Sequence, residues 1–191
     1  MPSSCKRVDL WTSVWQVSLL AALYVVAGRL GLELTYYHDT ATLLISPPSG
    51  LSLAALILFG RRLWPGIFIG ALLVNLSLPL GWLPMTGIAI GNTLEPLVGA
   101  SLLVQLTDFR PNFERPRDGA AFVLIGVLGC TTIGAMIGTL TAFLAGGLTT
   151  DFGSVWLIWW LSDLGGVLVL TPFLLLMVDG TPPWPVLLGR R

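Results

Sequence analysis

Charged side chains are scarce in this chain, with ten Lys and Arg and ten Asp and Glu among 191 residues. Soluble domains carry roughly a quarter charged residues, because a surface in water needs ionic groups. At 10% charged, the folded surface must face something other than water, and lipid is the simplest candidate. The charges also sum to zero, which gives no support to nucleic-acid binding. His38 is the sole histidine and falls in a loop, so no metal-ligand cluster can be assembled around it. Cys5 and Cys130 are far apart in sequence, which argues against a disulfide framework. A phosphate-binding loop and a nucleophile–base constellation are missing as well. The chain therefore offers no catalytic residue, no metal site and no cofactor site, and it is not expected to be an enzyme.

Apolar residues are what it has in quantity: 54% of the chain is hydrophobic and the mean hydropathy is +0.84. Helical crossing of a hydrocarbon core of about 30 Å takes about 20 apolar residues. Six stretches qualify: 10–32, 41–60, 63–80, 83–106, 119–146 and 152–178. The last two exceed one crossing and are expected to tilt, or to bend at 129–132 and 165–166, where glycines loosen the backbone. None of the stretches has the polar face that a helix of a soluble core would show. Orientation follows from the cations of the short loops. With the N-terminus inside, Lys6, Arg7, Arg61, Arg62, Arg110, Arg115, Arg117, Arg190 and Arg191 are all cytoplasmic, which is nine of the ten. Arg29 is the tenth, paired in expectation with Glu33 at the outer end of the first span. Lys6 and Arg7 before an apolar run also fit a cleavable signal peptide. The length of the run and the lack of an A-x-A site favour a retained helix. The expected fold is thus all-α: one polytopic transmembrane helix bundle over 1–191, of about six spans, with both termini cytoplasmic.

Ionisable groups within the bilayer are costly and point to function by default. Glu95 falls at the centre of the fourth span, and Asp163 roughly 3 Å outward of centre in the sixth. Asn92 and Asn75 lie a little further outward. Asn92 and Glu95 share a helix face by their spacing, as do Trp159 and Trp160 with Asp163. The second span carries Ser46-Pro47-Pro48-Ser49-Gly50, which cannot continue a helix. A short entering segment, then a helix from about Pro48 to Gly60, is expected. Its N-terminus would bring free N–H groups and partial positive charge to membrane depth, where a carboxylate of Glu95, Asp163 or a ligand would be stabilised. The candidate ligand-binding residues are accordingly Pro47, Pro48, Ser49, Asn75, Asn92, Glu95, Trp159, Trp160 and Asp163, converging on an outward-facing pocket. Two other roles stand beside ligand binding for the carboxyls: a protonated group hydrogen-bonded to a neighbouring helix, and a proton relay. Trp11, Trp64, Trp82 and Trp184 fall at interfaces, as an aromatic belt does. Gly66 and Gly70, Gly87 and Gly91, and Gly134 and Gly138 read as packing ridges, which equally allow a homodimer. The loop 107–118, of mixed charge, reads as a solvated connection.

The chain also resembles a family. Pro47-Pro48-Ser49-Gly50-Leu51-Ser52-Leu53-Ala54-Ala55-Leu56 is followed by Gly60-Arg61-Arg62-Leu63-Trp64-Pro65-Gly66, then Gly70, Asn75, Gly91-Asn92-Thr93-Leu94-Glu95 and Gly99. Trp159-Trp160-Leu161-Ser162-Asp163-Leu164-Gly165-Gly166 leads on to Thr171-Pro172. In order and spacing these resemble the membrane-associated sensor domains of the first type, the MASE group of bacterial signalling proteins, over roughly residues 10–180. The resemblance implies a multi-pass input module of the bacterial inner membrane. It implies fusion to, or partnership with, a histidine kinase, diguanylate cyclase or cyclic-di-GMP phosphodiesterase as a cytoplasmic output domain. Asn75, Asn92, Glu95, Trp160, Asp163 and the Pro-Pro-Ser-Gly break coincide with the polar set. The family's membrane region usually continues with further helices, so a chain ending at Arg191 is expected to be a C-terminal truncation or a stand-alone member acting through partners. A sensory domain binding a small ligand or a partner helix is the leading expectation. A small transporter or transporter subunit, favoured by the broken second helix and central carboxyls, is the alternative, though the halves show no internal repeat. A purely structural scaffold is third.

Overall fold

The computed structural model describes residues 10–37, 45–147 and 150–178, without the side chains of 10–13 and 34–37. Cys5, Lys6, Arg7, His38, the entering segment 41–44, Trp184, Arg190, Arg191 and the side chain of Trp11 lie outside this set. The described chain is all-α. Its helices are α1 (Leu10–Tyr37), α2 (Pro47–Phe59), α3 (Trp64–Asn75), α4 (Trp82–Leu106), α5 (Pro116–Ala121), α6 (Cys130–Leu144) and α7 (Phe152–Met177). A 3-10 turn at Arg61–Leu63 precedes α3, and a π-helical stretch at Phe122–Gly129 joins α5 to α6 into one rod, Pro116–Leu144.

Four of these segments are long and apolar enough to cross a membrane: Val14–Glu33, Trp82–Leu106, Pro116–Leu144 and Phe152–Met177. Two are shorter than a full crossing. α2 and α3 have 13 and 12 residues, about 20 and 18 Å at 1.5 Å per residue. The reasons are local. α2 starts at Pro47, as the proline pair requires, and stops at Gly60, whose φ of 104° no L side chain adopts easily. α3 gives way to turns after Asn75, five residues before the expected end of its span at 80.

Helices in lipid gain little from hiding apolar surface, so close approach of backbones decides who packs with whom. The glycine ridges act in that way. A Cβ on Gly66 would come within 2.6 Å of the Val17 carbonyl, and on Gly70 within 2.7 Å of Tyr24, so both glycines seat α3 on α1. Gly87 lies against Thr141 and Gly91 against the Gly134 carbonyl, joining α4 to α6. α2, apolar on all sides, is the innermost helix: Leu53 and Leu56 are fully buried, with Ile57 beside them, as expected of a helix without a polar face. α1 instead exposes Val14, Trp15, Leu19, Leu23, Val26 and Leu30, a stripe at helical spacing suited to lipid.

Three expectations need correction. Arg29 and Glu33 are both exposed and form no ion pair with each other, since an exposed pair gains little from holding two long side chains in one geometry. The irregularity in the fifth span precedes 129–132; it is the π-helical stretch itself. There the wider turn disturbs the i−4 ladder, and Cys130 Sγ, Thr131 Oγ1 and Thr132 Oγ1 donate to the carbonyls of Gly126, Val127 and Leu128 at 2.6, 2.5 and 2.8 Å. The loop 107–118 is a folded clasp, not a solvated connection. Arg115 holds the fully buried Asp118 through two hydrogen bonds of 2.7 and 2.8 Å and also donates to the Asp108 carbonyl. Phe113, at a φ of 54°, meets Phe109 and Phe122 edge-on at 5.5 and 5.4 Å.

Candidate functional site

The proline pair determines where the site is. Pro47 and Pro48 occupy the first turn of α2, where their missing N–H groups cost nothing, and the residues before them dock onto the middle of α7. The Ser46 N–H donates to the Ser162 carbonyl at 2.8 Å. The Ser49 hydroxyl, 3.0 Å from Ser46 Oγ, donates to Asp163 Oδ1 at 2.6 Å. About two turns further along α7, Thr171 Oγ1 donates to the Gly50 carbonyl at 3.0 Å. This proximity requires glycine: a Cβ at Gly166 would lie 1.9 Å from the Ser46 carbonyl oxygen, and one at Gly50 would lie 2.2 Å from that of Gly166. The carboxyl that meets the N-terminal end of α2 is therefore Asp163, 3% exposed, where the partial positive charge of a helix start favours an acceptor.

Beside this junction, toward the ends of the helices opposite the arginine-bearing loops, lies a cavity of about 430 Å³, within the range of small-molecule sites. Ser46, Pro47 and Pro48 form one wall, Trp159 and Ser162 another, and Tyr24, Asn75 and Asn92 supply further polar groups. Asn92 Nδ2 donates to the Tyr24 hydroxyl at 3.1 Å, and Asn75 Nδ2 to the Met85 carbonyl at 2.9 Å. Pro96 has no N–H to offer the Asn92 carbonyl four residues earlier, so the regular ladder bond of α4 is missing at this level. Trp159 reaches its place because α6 has Gly138 there; a Cβ would sit 2.6 Å from the indole.

The expected site residues thus divide. Asn75, Asn92, Trp159, Pro47 and Pro48 line the cavity; Ser49, Glu95, Trp160 and Asp163 do not. Ser49 and Asp163 sit directly behind the wall, joined to Ser46. Glu95 is 1% exposed and packs against α6 at Gly134, where a Cβ would lie 2.0 Å from Oε2. Neither of its carboxyl oxygens, nor Asp163 Oδ2, has a hydrogen-bond partner among the described residues. Trp160 stacks on Trp156 at 5.6 Å and 7°, and both indole N–H groups likewise lack partners among the described residues. The polar set is therefore two adjoining layers, a neutral cavity and a buried acidic layer.

Tyr24, Ser46 and Ser162 were not singled out from the sequence. Tyr24 had a signal, as a hydroxyl at the midpoint of α1 level with Asn92. Ser162 holds Ser46 through its backbone carbonyl, which no side-chain pattern reveals. Among the described residues no group of three or more His, Cys, Asp or Glu is placed to hold a metal ion.

Comparison with curated proteins and with solved structures finds no match to the chain. Comparison with protein families does: residues 15–186 match MASE1, a membrane sensor domain found in signalling proteins. That span includes α2 through α7 and all but the start of α1, and with it the chain belongs to the membrane-associated sensor domain 1 family.

Proposed function

We propose that the chain is the sensory input module of a bacterial inner-membrane signalling protein of the histidine kinase or cyclic-di-GMP type. It acts as a regulator rather than a catalyst and takes a small ligand into the cavity beside α2. The observation that carries this reading is the position of the cavity against the proline-broken start of α2, which is itself hydrogen-bonded to α7. Pro47, Pro48, Asn75, Asn92 and Trp159 form the contact set, with Ser49 and Asp163 behind them. Among the described residues the lining is mostly aliphatic, with Tyr24, Trp159 and a few neutral polar groups and no charged side chain, which suits a small uncharged molecule with an apolar body and one or two hydrogen-bonding groups. A ligand that holds Ser46–Pro48 in one position favours one setting of α7, because Ser162 bonds to Ser46 while Asp163 and Thr171 bond to the next two residues, Ser49 and Gly50. It can do so only through unequal affinity for the two settings. α7 then carries the change to the arginine-bearing end, cytoplasmic by the charge rule, where an output domain or partner protein receives it.

The test is a thermal-shift screen of the full chain in lipid nanodiscs against small neutral solutes. A hit is expected to lose its stabilisation in Asn92→Ala and Trp159→Ala, while Leu140→Ala, on the lipid face, retains it. A hit untouched by both cavity variants would remove the cavity from the reading. The same preparation separates the transporter alternative, which the interrupted α2 at membrane depth also fits: a sensor binds solute without accumulating it in proteoliposomes. Six crossings with both termini inside are part of the proposal. Single cysteines at Ser77 and Arg110 are expected to label from opposite sides of the membrane.

A further inference from the structure

A second recess lies at the other end of the bundle. It measures about 450 Å³ and runs between α1, α2 and the end of α7. Its walls are Leu19 and Leu23 on α1, Leu51 and Leu58 on α2, and Leu174 on α7, over a floor of Ala54 and Ala55. On the lipid-facing stripe of α1, Leu19 and Leu23 are 46% and 45% exposed, so the recess opens sideways into the bilayer. From Gln16 to Leu23 it extends about 10 Å along α1 at 1.5 Å per residue, against roughly 15 Å for one leaflet of a 30 Å core. Its rim is different in kind. Arg62, exposed at the end of α2, donates through Nη2 to Gln16 Oε1 at 3.1 Å, and Gln16 lines the recess. Among the described residues this bond to a neutral amide is the one side-chain bond of Arg62, which leaves its positive charge unmatched by any described carboxylate at the mouth of an apolar slot. Trp15, 68% exposed, flanks the same mouth at interfacial depth, where indoles meet headgroups.

We infer that this recess is a binding site for one anionic phospholipid. An acyl chain lies in the slot between α1, α2 and α7, and the phosphate is held at the rim by Arg62. An acyl chain matches the length, opening and lining of the slot, and a phosphate offers the pair of oxygens that the planar guanidinium fork binds bidentately. Basic residues over apolar clefts between helices recognise anionic lipids in this way. The site adjoins the innermost helix, so an occupied slot supports α2 along the half beyond its proline-bearing start.

The test is native mass spectrometry of the full chain released from nanodiscs of phosphatidylcholine containing a minority of phosphatidylglycerol with the same acyl chains. One phosphatidylglycerol per chain is expected to survive activation, preferred over phosphatidylcholine by about fivefold, the factor one arginine contributes at an anionic surface. Arg62→Gln, on the surface and harmless to the fold, is expected to abolish the preference while leaving some lipid bound. Ala55→Phe fills the slot and is expected to remove both lipids. Equal retention of the two lipids by the parent, or an unchanged preference in Arg62→Gln, overturns the proposal. So does a parent chain that emerges lipid-free: as a monomer it would assign the slot to another segment of the chain, and as a dimer to a second copy.

Discussion

Replacing Gly166 by alanine tests the junction on which the functional reading depends. The added methyl carbon would stand 1.9 Å from the Ser46 carbonyl oxygen, against the 3.4 Å at which such contacts become ordinary, a shortfall of about 1.5 Å. No flexible side chain can absorb it, because the three nearest atoms all belong to the Ser46 backbone. The start of α2 must lift off α7, stretching the 2.8 Å bond from Ser46 to Ser162 and the 2.6 Å bond from Ser49 to Asp163. Overpacking costs about 1–3 kcal/mol, and the two hydrogen bonds contribute about 0.5–1.5 kcal/mol each. Against this, alanine regains up to about 1 kcal/mol of helix propensity. The net loss is about 1–5 kcal/mol, on the order of 3–15 °C in Tm for a chain of this size. Thermal unfolding by circular dichroism in nanodiscs measures it. Gly119→Ala, with nothing within 4 Å of the new carbon, serves as the control and is expected to melt at or slightly above the parent. If Gly166→Ala melts with that control, α2 is not seated on α7 as described.

Gly134→Ala places a methyl carbon 2.0 Å from Glu95 Oε2 and is expected to destabilise by about 1–3 kcal/mol. In a Glu95→Ala background the cost should fall by about 1 kcal/mol or more, and strict additivity in the double-mutant cycle would refute the contact. Tyr24→Phe strips the Asn92 amide of its acceptor, with an expected loss of about 1–3 kcal/mol; adding Asn92→Leu should recover part of it, since no polar group is then stranded. Asp118→Asn breaks the charged pairing with Arg115 and is expected to cost about 1–3 kcal/mol, read as a fall in Tm in the same nanodiscs; an unaltered melt would mean that the clasp is absent in solution.

What the sequence made legible was whatever depends on chemistry along one helix. Proline without an N–H dictated the start of α2 to within one residue, and Gly60 its end. Glycine spacing identified which faces pack, and the scarcity of charge identified lipid as the surroundings. What stayed hidden depends on neighbours in space. Glu95 and Asn92 share a helix face in any α4, yet only the position of α6 decides that Gly134 encloses the carboxyl while Asn92 reaches the cavity. Mixed charge in 107–118 looked like solvation because the pairing of Arg115 with Asp118 requires a chain reversal that composition does not encode. The π-helical stretch was missed for the same reason, since Phe122–Gly129 is as apolar as an ordinary span and its wider turn leaves no mark on hydropathy.

That stretch has a consequence for how the molecule tolerates change. Each residue in a helical rod turns everything beyond it by about 100°, so the number of residues between Phe122 and Gly129 acts as a phase setting for α6. Removing one would be absorbed as the wide turns tighten to ordinary α turns, whereas adding one would rotate Gly134 away from Glu95 and Gly138 away from Trp159, filling both recesses with bulkier side chains. Side chains in this segment are thus exchangeable within limits of volume, whereas its length can lose a residue but not gain one. Variation at the level of the gene should be borne here as substitution or single-residue deletion far more readily than as insertion.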